Sequence, residues 1–244
     1  MGKRKNGAKM RRQQAQKDLS SSGEEATSVQ MKEERLNRLE QTLTQQQAEI
    51  GQLKKMMIQL HQPANAWNVQ DRHPSLLVRD RFVVQHHGKT ARIGYCTIRA
   101  VSVATNYPPI FYFEVKIIMH SENVLGVGFA TKALSFDEFV GQGQMSFGYG
   151  SNGTFWNSNR FVHNMQHKFS RNDIVGCGLN FDTQEVFFTF NGRRLGGTSI
   201  LSVASLPKNL YPCATLSLPG DSIEANFGPQ FLYNLADEVG FSAM

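Results

Sequence analysis

Two runs of sequence decide the fold: Ile174-Val175-Gly176-Cys177-Gly178-Leu179-Asn180-Phe181 and, after Asp182-Thr183-Gln184, Glu185-Val186-Phe187-Phe188-Thr189-Phe190-Asn191-Gly192. Val175, Cys177, Leu179 and Phe181 recur at every second position, as do Val186, Phe188 and Phe190, so each run carries an apolar row on one face of a strand. The polar 182–184 stretch is short enough to join them as a β-hairpin. Asn191-Gly192 predicts the next turn, since both residues tolerate positive φ. Gly176 and Gly178 share the opposite face, where missing side chains predict the close approach of another backbone. A lone hairpin is not stable in water, which requires a larger sheet.

Working outward, strand-like runs recur near 76–85, 91–101, 111–119, 124–130, 145–149, 154–156, 174–181, 185–190, 211–217 and 222–227, with Gly, Asn, Asp or Pro in most gaps. Short strands at this spacing, with no helical pattern between them, predict a mainly β antiparallel sandwich. Lys132-Ala133-Leu134-Ser135 to Phe139 is expected to form a short helical turn.

The central stretch resembles the closing half of a SPRY domain, a concanavalin-like β-sandwich interaction module of the B30.2/SPRY class, in particular the type found in Ran-binding protein M. The likeness continues in Phe111-Tyr112-Phe113-Glu114-Val115-Lys116-Ile117, Leu125-Gly126-Val127-Gly128-Phe129 and Phe147-Gly148-Tyr149-Gly150-Ser151-Asn152-Gly153. It closes with Asn209-Leu210-Tyr211-Pro212 and Ile223-Glu224-Ala225-Asn226-Phe227-Gly228. The blocks place the domain at residues 65–236, with 237–244 as a carboxy-terminal tail. The helical run before it adds a likeness to the SPRY proteins of plant-parasitic nematodes.

Composition marks the same boundary. No aromatic residue precedes Trp67, and all 17 Phe lie from Phe82 onward. Residues 1–62 hold 12 Lys and Arg against 7 Asp and Glu, whereas the rest holds 14 against 13, so the excess positive charge belongs to the amino-terminal part. Cys96, Cys177 and Cys213 form no C-x-x-C pair and are odd in number, which points to a reducing compartment. No apolar run follows the basic amino terminus, and no stretch reaches the ~18 apolar residues that span a bilayer. A cytoplasmic or nuclear location away from membranes is expected.

Residues 1–28 lack the apolar content for a core and are expected to be disordered. Lys3, Arg4, Lys5, Lys9, Arg11 and Arg12 fit three readings: a solvated tail, a nuclear-import signal or a nucleic-acid contact. The last lacks interleaved aromatics for stacking. Over 29–62, Leu36, Leu39, Leu43, Gln46, Ile50, Leu53, Met57 and Leu60 alternate spacings of three and four, an a/d seam of about three and a half heptads. With Leu36 at a, Arg35 and Glu49 at g face Glu40 and Lys54 at e of a parallel partner, opposite charges in both pairs. The two readings are a parallel coiled-coil homodimer and a single amphipathic helix lying on the sandwich. The narrow stripe favours the dimer.

No residue pattern points to catalysis or a cofactor. His163 and His167 lie four apart without the neighbouring Glu or Cys that a metal site would need. Gly141-Gln142-Gly143 lacks the third glycine of a dinucleotide fingerprint and precedes a strand. Asn152-Gly153-Thr154 spells a glycosylation sequon that matters only on a secretory route. The expected function is non-enzymatic binding of another protein or short peptide.

The resemblance implies where. In SPRY proteins that recognise short peptides, three connectors form one shallow pocket. Here the first corresponds to Arg99, Ala100, Val101 and Ser102 running to Asn106, Tyr107, Pro108 and Pro109. The second is Tyr149, Gly150, Ser151 and Asn152, with Phe155 and Trp156 just after, and the third is Ser217, Leu218, Pro219 and Gly220. Arg and Tyr are residue types that dominate binding hot spots, so Arg99 is expected to pair with a partner and Tyr149 to form a wall, while Trp156 is expected in the core. Family members that take acidic, Asn-rich peptides carry Trp where Leu218 and Pro219 stand, so that peptide is not implied.

Overall fold

The computed structural model describes residues 30–53, 56–57, 64–88, 94–163, 167–196, 201–202, 206–235 and 238. The chain divides into two compact units, Met1–Leu53 and Lys54–Met244.

In the first unit residues 30–53 form one α-helix, α1. Its Glu, Gln, Lys, Arg and Leu content favours helix, and Gly51 works most strongly against it. Thr42 and Thr44 turn their hydroxyls back to the Arg38 and Glu40 carbonyls, and Arg38 lies 4.0 Å from Glu34 one turn earlier. Leu36, Leu39, Leu43, Ile50 and Leu53 are each more than half exposed. Gln46 is exposed among them, and Met57 continues in helical backbone. Leu60 and the basic run Lys3, Arg4, Lys5, Lys9, Arg11 and Arg12 lie outside the described residues.

The second unit is an antiparallel β-sandwich. Its strands are β1 (Trp67–Arg72), β2 (Leu76–Arg79), β3 (Val83–His86), β4 (Cys96–Ala100), β5 (Ile110–Met119), β6 (Gly126–Ala130), β7 (Ser146–Gly150) and β8 (Thr154–Asn157). They continue with β9 (Arg160–His163), β10 (Ile174–Asn180), β11 (Glu185–Phe190), β12 (Arg193–Arg194), β13 (Leu201–Ser202), β14 (Tyr211–Leu216) and β15 (Ser222–Asn226). One sheet has the order β1-β4-β14-β6-β7-β8-β9. The other runs β12-β11-β10-β5-β15-β3-β2, with β13 also on β11.

The deciding hairpin forms as the period predicts, with Val175 opposite Phe190 and Leu179 opposite Val186. Asn180 Oδ1 accepts the N–H groups of Asp182 and Thr183 at 3.0 and 3.1 Å, closing the turn. Asn191 and Gly192 take φ of 47° and 75°, the left-handed pair that returns the chain into β12. The face carrying Val175, Cys177, Leu179, Val186 and Phe188 meets Ile98, Val127, Phe129, Phe147 and Phe155 of the opposing sheet in the main core.

The other face of the β5-β10-β11 sheet is also covered. Ile110, Tyr112 and Phe187 pack under Phe231, Tyr233 and Leu235 from the segment after β15. Glu114 accepts the backbone N–H groups of Leu232 and Tyr233 at 3.0 and 2.9 Å. Gly176 and Gly178 serve this second core, but not by admitting a backbone. The Phe187 ring lies where a Gly178 Cβ would project, and the Tyr112 hydroxyl does the same at Gly176. The expected helical turn at 132–139 is instead two turns, which bury Leu134 and Phe139 against Val140 and Cys213. Four strands escape the sequence reading: β1, β9, β12 and β13.

Candidate docking surface

β14 fixes which connectors share an end of the sandwich. Antiparallel pairing sets Cys213 opposite Arg99 and Leu216 opposite Cys96, so the connector after β4 starts beside the beginning of β14. There the Ala104 N–H donates to the Leu210 carbonyl at 2.7 Å. The connector after β14, Ser217 to Asp221, lies at the strand's other end, ~20 Å away at ~3.3 Å per residue. With Thr215 opposite Gly126 and Gly126 opposite Gly150, the Ser151–Gly153 turn falls at that same end. The second and third connectors therefore come together, and the first sits at the opposite end.

The end that gathers two connectors gains a third, His120 to Val124 between β5 and β6. Asp221, fully buried, is its hub. One carboxylate oxygen accepts the Ser121 N–H at 2.7 Å; the other accepts Leu218 N–H at 2.9 Å and Ser217 N–H at 3.3 Å. The Ser217 hydroxyl donates to the Val124 carbonyl. Ser151 Oγ accepts the Leu125 N–H at 3.0 Å and lies 3.3 Å from His120 Nε2. The end of β3 is tied in as well, since His86 N–H donates to Asp221 O and Gly220 N–H to His86 O, both at 2.9 Å. Every one of these backbone donors would otherwise be an unmet polar group in a tight rim. The outcome is a braced platform that leaves Asn152 exposed, with Leu218 and Pro219 partly exposed.

Several expected contact residues serve the scaffold instead. Arg99 is only 4% exposed: it grips Asp71 with two parallel bonds of 2.9 and 3.0 Å and donates to the Leu134 carbonyl at 2.7 Å. Its guanidinium also lies 4.5 Å from the Phe136 ring centre. Tyr149 is fully buried, stacked 4.4 Å from Phe155 and edge-on to Phe169, and its hydroxyl donates to the His167 carbonyl. Ala100, Ser151 and Ser217 are buried too. Trp156 is half-buried, edge-on to Phe161. Val101 and Tyr107 are exposed, at 55% and 64%, but on the opposite end from Asn152 and Leu218. Asp221 carries no signal of this role in the sequence, because a Pro-Gly-Asp turn looks purely local and nothing in the sequence ties it to Ser121.

A Cys–His pair adjoins the platform without the chemistry of an activated nucleophile. His86 Nδ1 accepts the Gly88 N–H at 3.2 Å, which assigns the ring proton to Nε2, facing Cys96 Sγ at 3.2 Å. Burial pushes the Cys96 thiol up to about 11 and holds the His86 imidazole below its ordinary value. The imidazole thus donates to a neutral thiol instead of taking its proton. Among the described residues, no three His, Cys, Asp or Glu side chains converge as a metal site, and no helix is long and apolar enough to cross a membrane.

The family model described as "SPRY domain" matches residues 110–230. Ran-binding protein 9 of Xenopus laevis is 31% identical over 188 residues, covering 72% of this chain and 32% of that protein. Ran-binding protein 10 of Danio rerio is 29% identical over 178 residues, covering 70% of this chain and 29% of that protein. The chain thus spans about a third of the length of these relatives. A crystal structure of a human SPRY domain superposes with a TM-score of 0.55 at 25% identity, over 64% of this chain and 98% of that one.

Proposed function

The chain carries a SPRY domain, and from that premise we propose that it is a non-enzymatic adaptor that holds a partner protein or peptide on the Asp221-braced end of its sandwich. The single observation supporting this reading is the cross-bracing of three connectors, two of them through the buried Asp221 carboxylate and the third through Ser151 Oγ. Ordering a loop on binding costs about 1–2 kcal/mol per residue, and a rim already fixed by hydrogen bonds avoids much of that cost. The contact face consists of Asn152, Leu218 and Pro219 with the exposed Glu122 of the adjoining connector. Tyr149, Ser151 and Ser217 hold the platform's framework, while Arg99 and Ala100 belong to the scaffold toward the opposite end. Val101, Ser102 and Tyr107 are not part of this face.

The occupant of the α1 seam in this account is a second copy of the chain. Charge complementarity supports it: in a parallel pair Arg35 meets Glu40 and Glu49 meets Lys54. Two domains on one stalk engage a dimeric or repeated partner by effective concentration, without any new contact. Cytoplasmic or nuclear residence fits the three unpaired cysteines.

Charge placed on the platform tests the reading. Asn152→Arg with Leu218→Arg should abolish capture of a bound protein, while Val69→Arg, at an exposed position on β1, should leave it intact. Equal capture by both variants would refute it.

A further inference from the structure

The end of the sandwich away from the platform carries its own feature. β4, β14, β6 and β7 are consecutive neighbours in one sheet. At this end β14 begins after Lys208 and Asn209, β6 runs out into Thr131, Lys132 and Ala133, and Met145 precedes β7. Thr131, Lys132, Ala133, Met145, Lys208 and Tyr211 line a groove of about 380 Å³.

Three properties set this groove apart. It holds two cations and no acid, and among the described residues neither Lys132 nor Lys208 is in an ion pair. Its floor is apolar at one side: Met145 is 54% exposed, and the Lys132 ammonium sits 5.6 Å from the centre of the Tyr211 ring. Its rim is shaped by fixed backbone, since Met145 and Asn209 both hold left-handed φ, 52° and 63°, and the Thr131 N–H donates to the Met145 carbonyl at 3.3 Å. The acid of the same sheet toward this end, Asp71, is held by Arg99 at 2.9 and 3.0 Å, and on the opposing sheet Glu185 is paired with Arg194 at 3.4 Å.

We propose that this groove is a second docking site, which takes an extended acidic peptide segment: a carboxylate seated between Lys132 and Lys208, and an adjacent apolar side chain against Met145 and Tyr211. Two ammonium groups flanking an apolar patch suit an alternation of acidic and aliphatic residues, because the carboxylate meets unpaired charge while its neighbour covers exposed thioether and ring. With this site filled at one end and the platform at the other, one domain bridges two polypeptides.

The test is a titration of the full-length chain with the peptide Glu-Leu-Glu-Leu-Glu, read by amide chemical shifts. A site-resolved readout is needed because the basic amino-terminal run also attracts acids. The expected result is saturable shifts at Ala133 and Asn209, weakened about tenfold in Lys132→Ala/Lys208→Ala and restored in Lys132→Arg/Lys208→Arg. Affinity should fall as salt rises. A peptide with Gln at each Glu position should leave these amides unmoved. The proposal is overturned if the acidic peptide shifts only amides elsewhere, if the alanine variant binds it equally well, or if the Gln peptide binds as tightly. Inorganic phosphate that moves the same amides with equal affinity would show a general anion site and overturn the peptide assignment. Failure here leaves the platform reading untouched, since the variants lie at opposite ends of β14.

Discussion

The carboxylate of Asp221 accepts the backbone N–H of Ser121 at 2.7 Å, joining two connectors a hundred positions apart in the chain. Its second oxygen holds Leu218, so one buried side chain positions the rim on which the proposed docking face stands. Asp221→Ala leaves three backbone donors without their acceptor. At ~1–3 kcal/mol for each unmet buried group, softened by partial relaxation, a loss of about 2–4 kcal/mol is expected in urea unfolding. Amide exchange at Ser121 and Leu218 should accelerate beyond the global change. An undisturbed unfolding midpoint would show that the bracing contributes nothing.

Arg99 offers the matching test in the framework. Removing it leaves the Asp71 carboxylate, 18% exposed, without its bidentate partner. Arg99→Ala is expected to cost about 2–3 kcal/mol, below the range for fully buried pairs because Asp71 keeps some water. Arg99→Lys should recover little, since an ammonium cannot supply the two parallel bonds. If Arg99 instead contacted a partner directly, the alanine variant would keep its stability and lose only binding.

Much of the architecture is legible in the sequence, because period-2 rows such as Val175, Cys177 and Leu179 report a buried face wherever they occur. The second core is not. Tyr112 and Phe187 lie between inward-facing neighbours and look solvent-directed until the distant Phe231 and Tyr233 cover them. The candidate site was half legible for a related reason. Local spelling marks all three connectors alike, but which end of the sandwich a connector occupies depends on strand register, and here the register sends Val101 and Tyr107 to the far end. Arg99 and Tyr149 are hot-spot residue types, yet type alone does not distinguish a contact from a scaffold member.

His86 makes stability depend on pH. Burial disfavours its charged form, neighbouring His73 and His87 add to that, and Asp221 opposes it; Cys96 is its uncharged neighbour. A depressed folded-state value means that the neutral ring's contribution is present above the ordinary value of about 6.5 and is lost as pH falls below it. Urea midpoints should therefore decline from about pH 7 to 5, and His86→Gln should flatten that decline. A slope identical in wild type and variant would contradict the assignment.

The helix seam predicts assembly. The wild-type chain should sediment as a dimer at ~50 µM and Leu43→Asp as a monomer with an unchanged sandwich unfolding transition. Gln46→Leu should tighten association by removing the polar d position. A wild-type monomer at that concentration would end the dimer reading.

The most direct test of the central claim is hydrogen exchange on the full-length chain with and without a captured protein partner. The account predicts protection concentrated at residues 121–124, 151–153 and 218–220. Protection confined to other parts of the sandwich, with those three connectors exchanging as in the free chain, would contradict it.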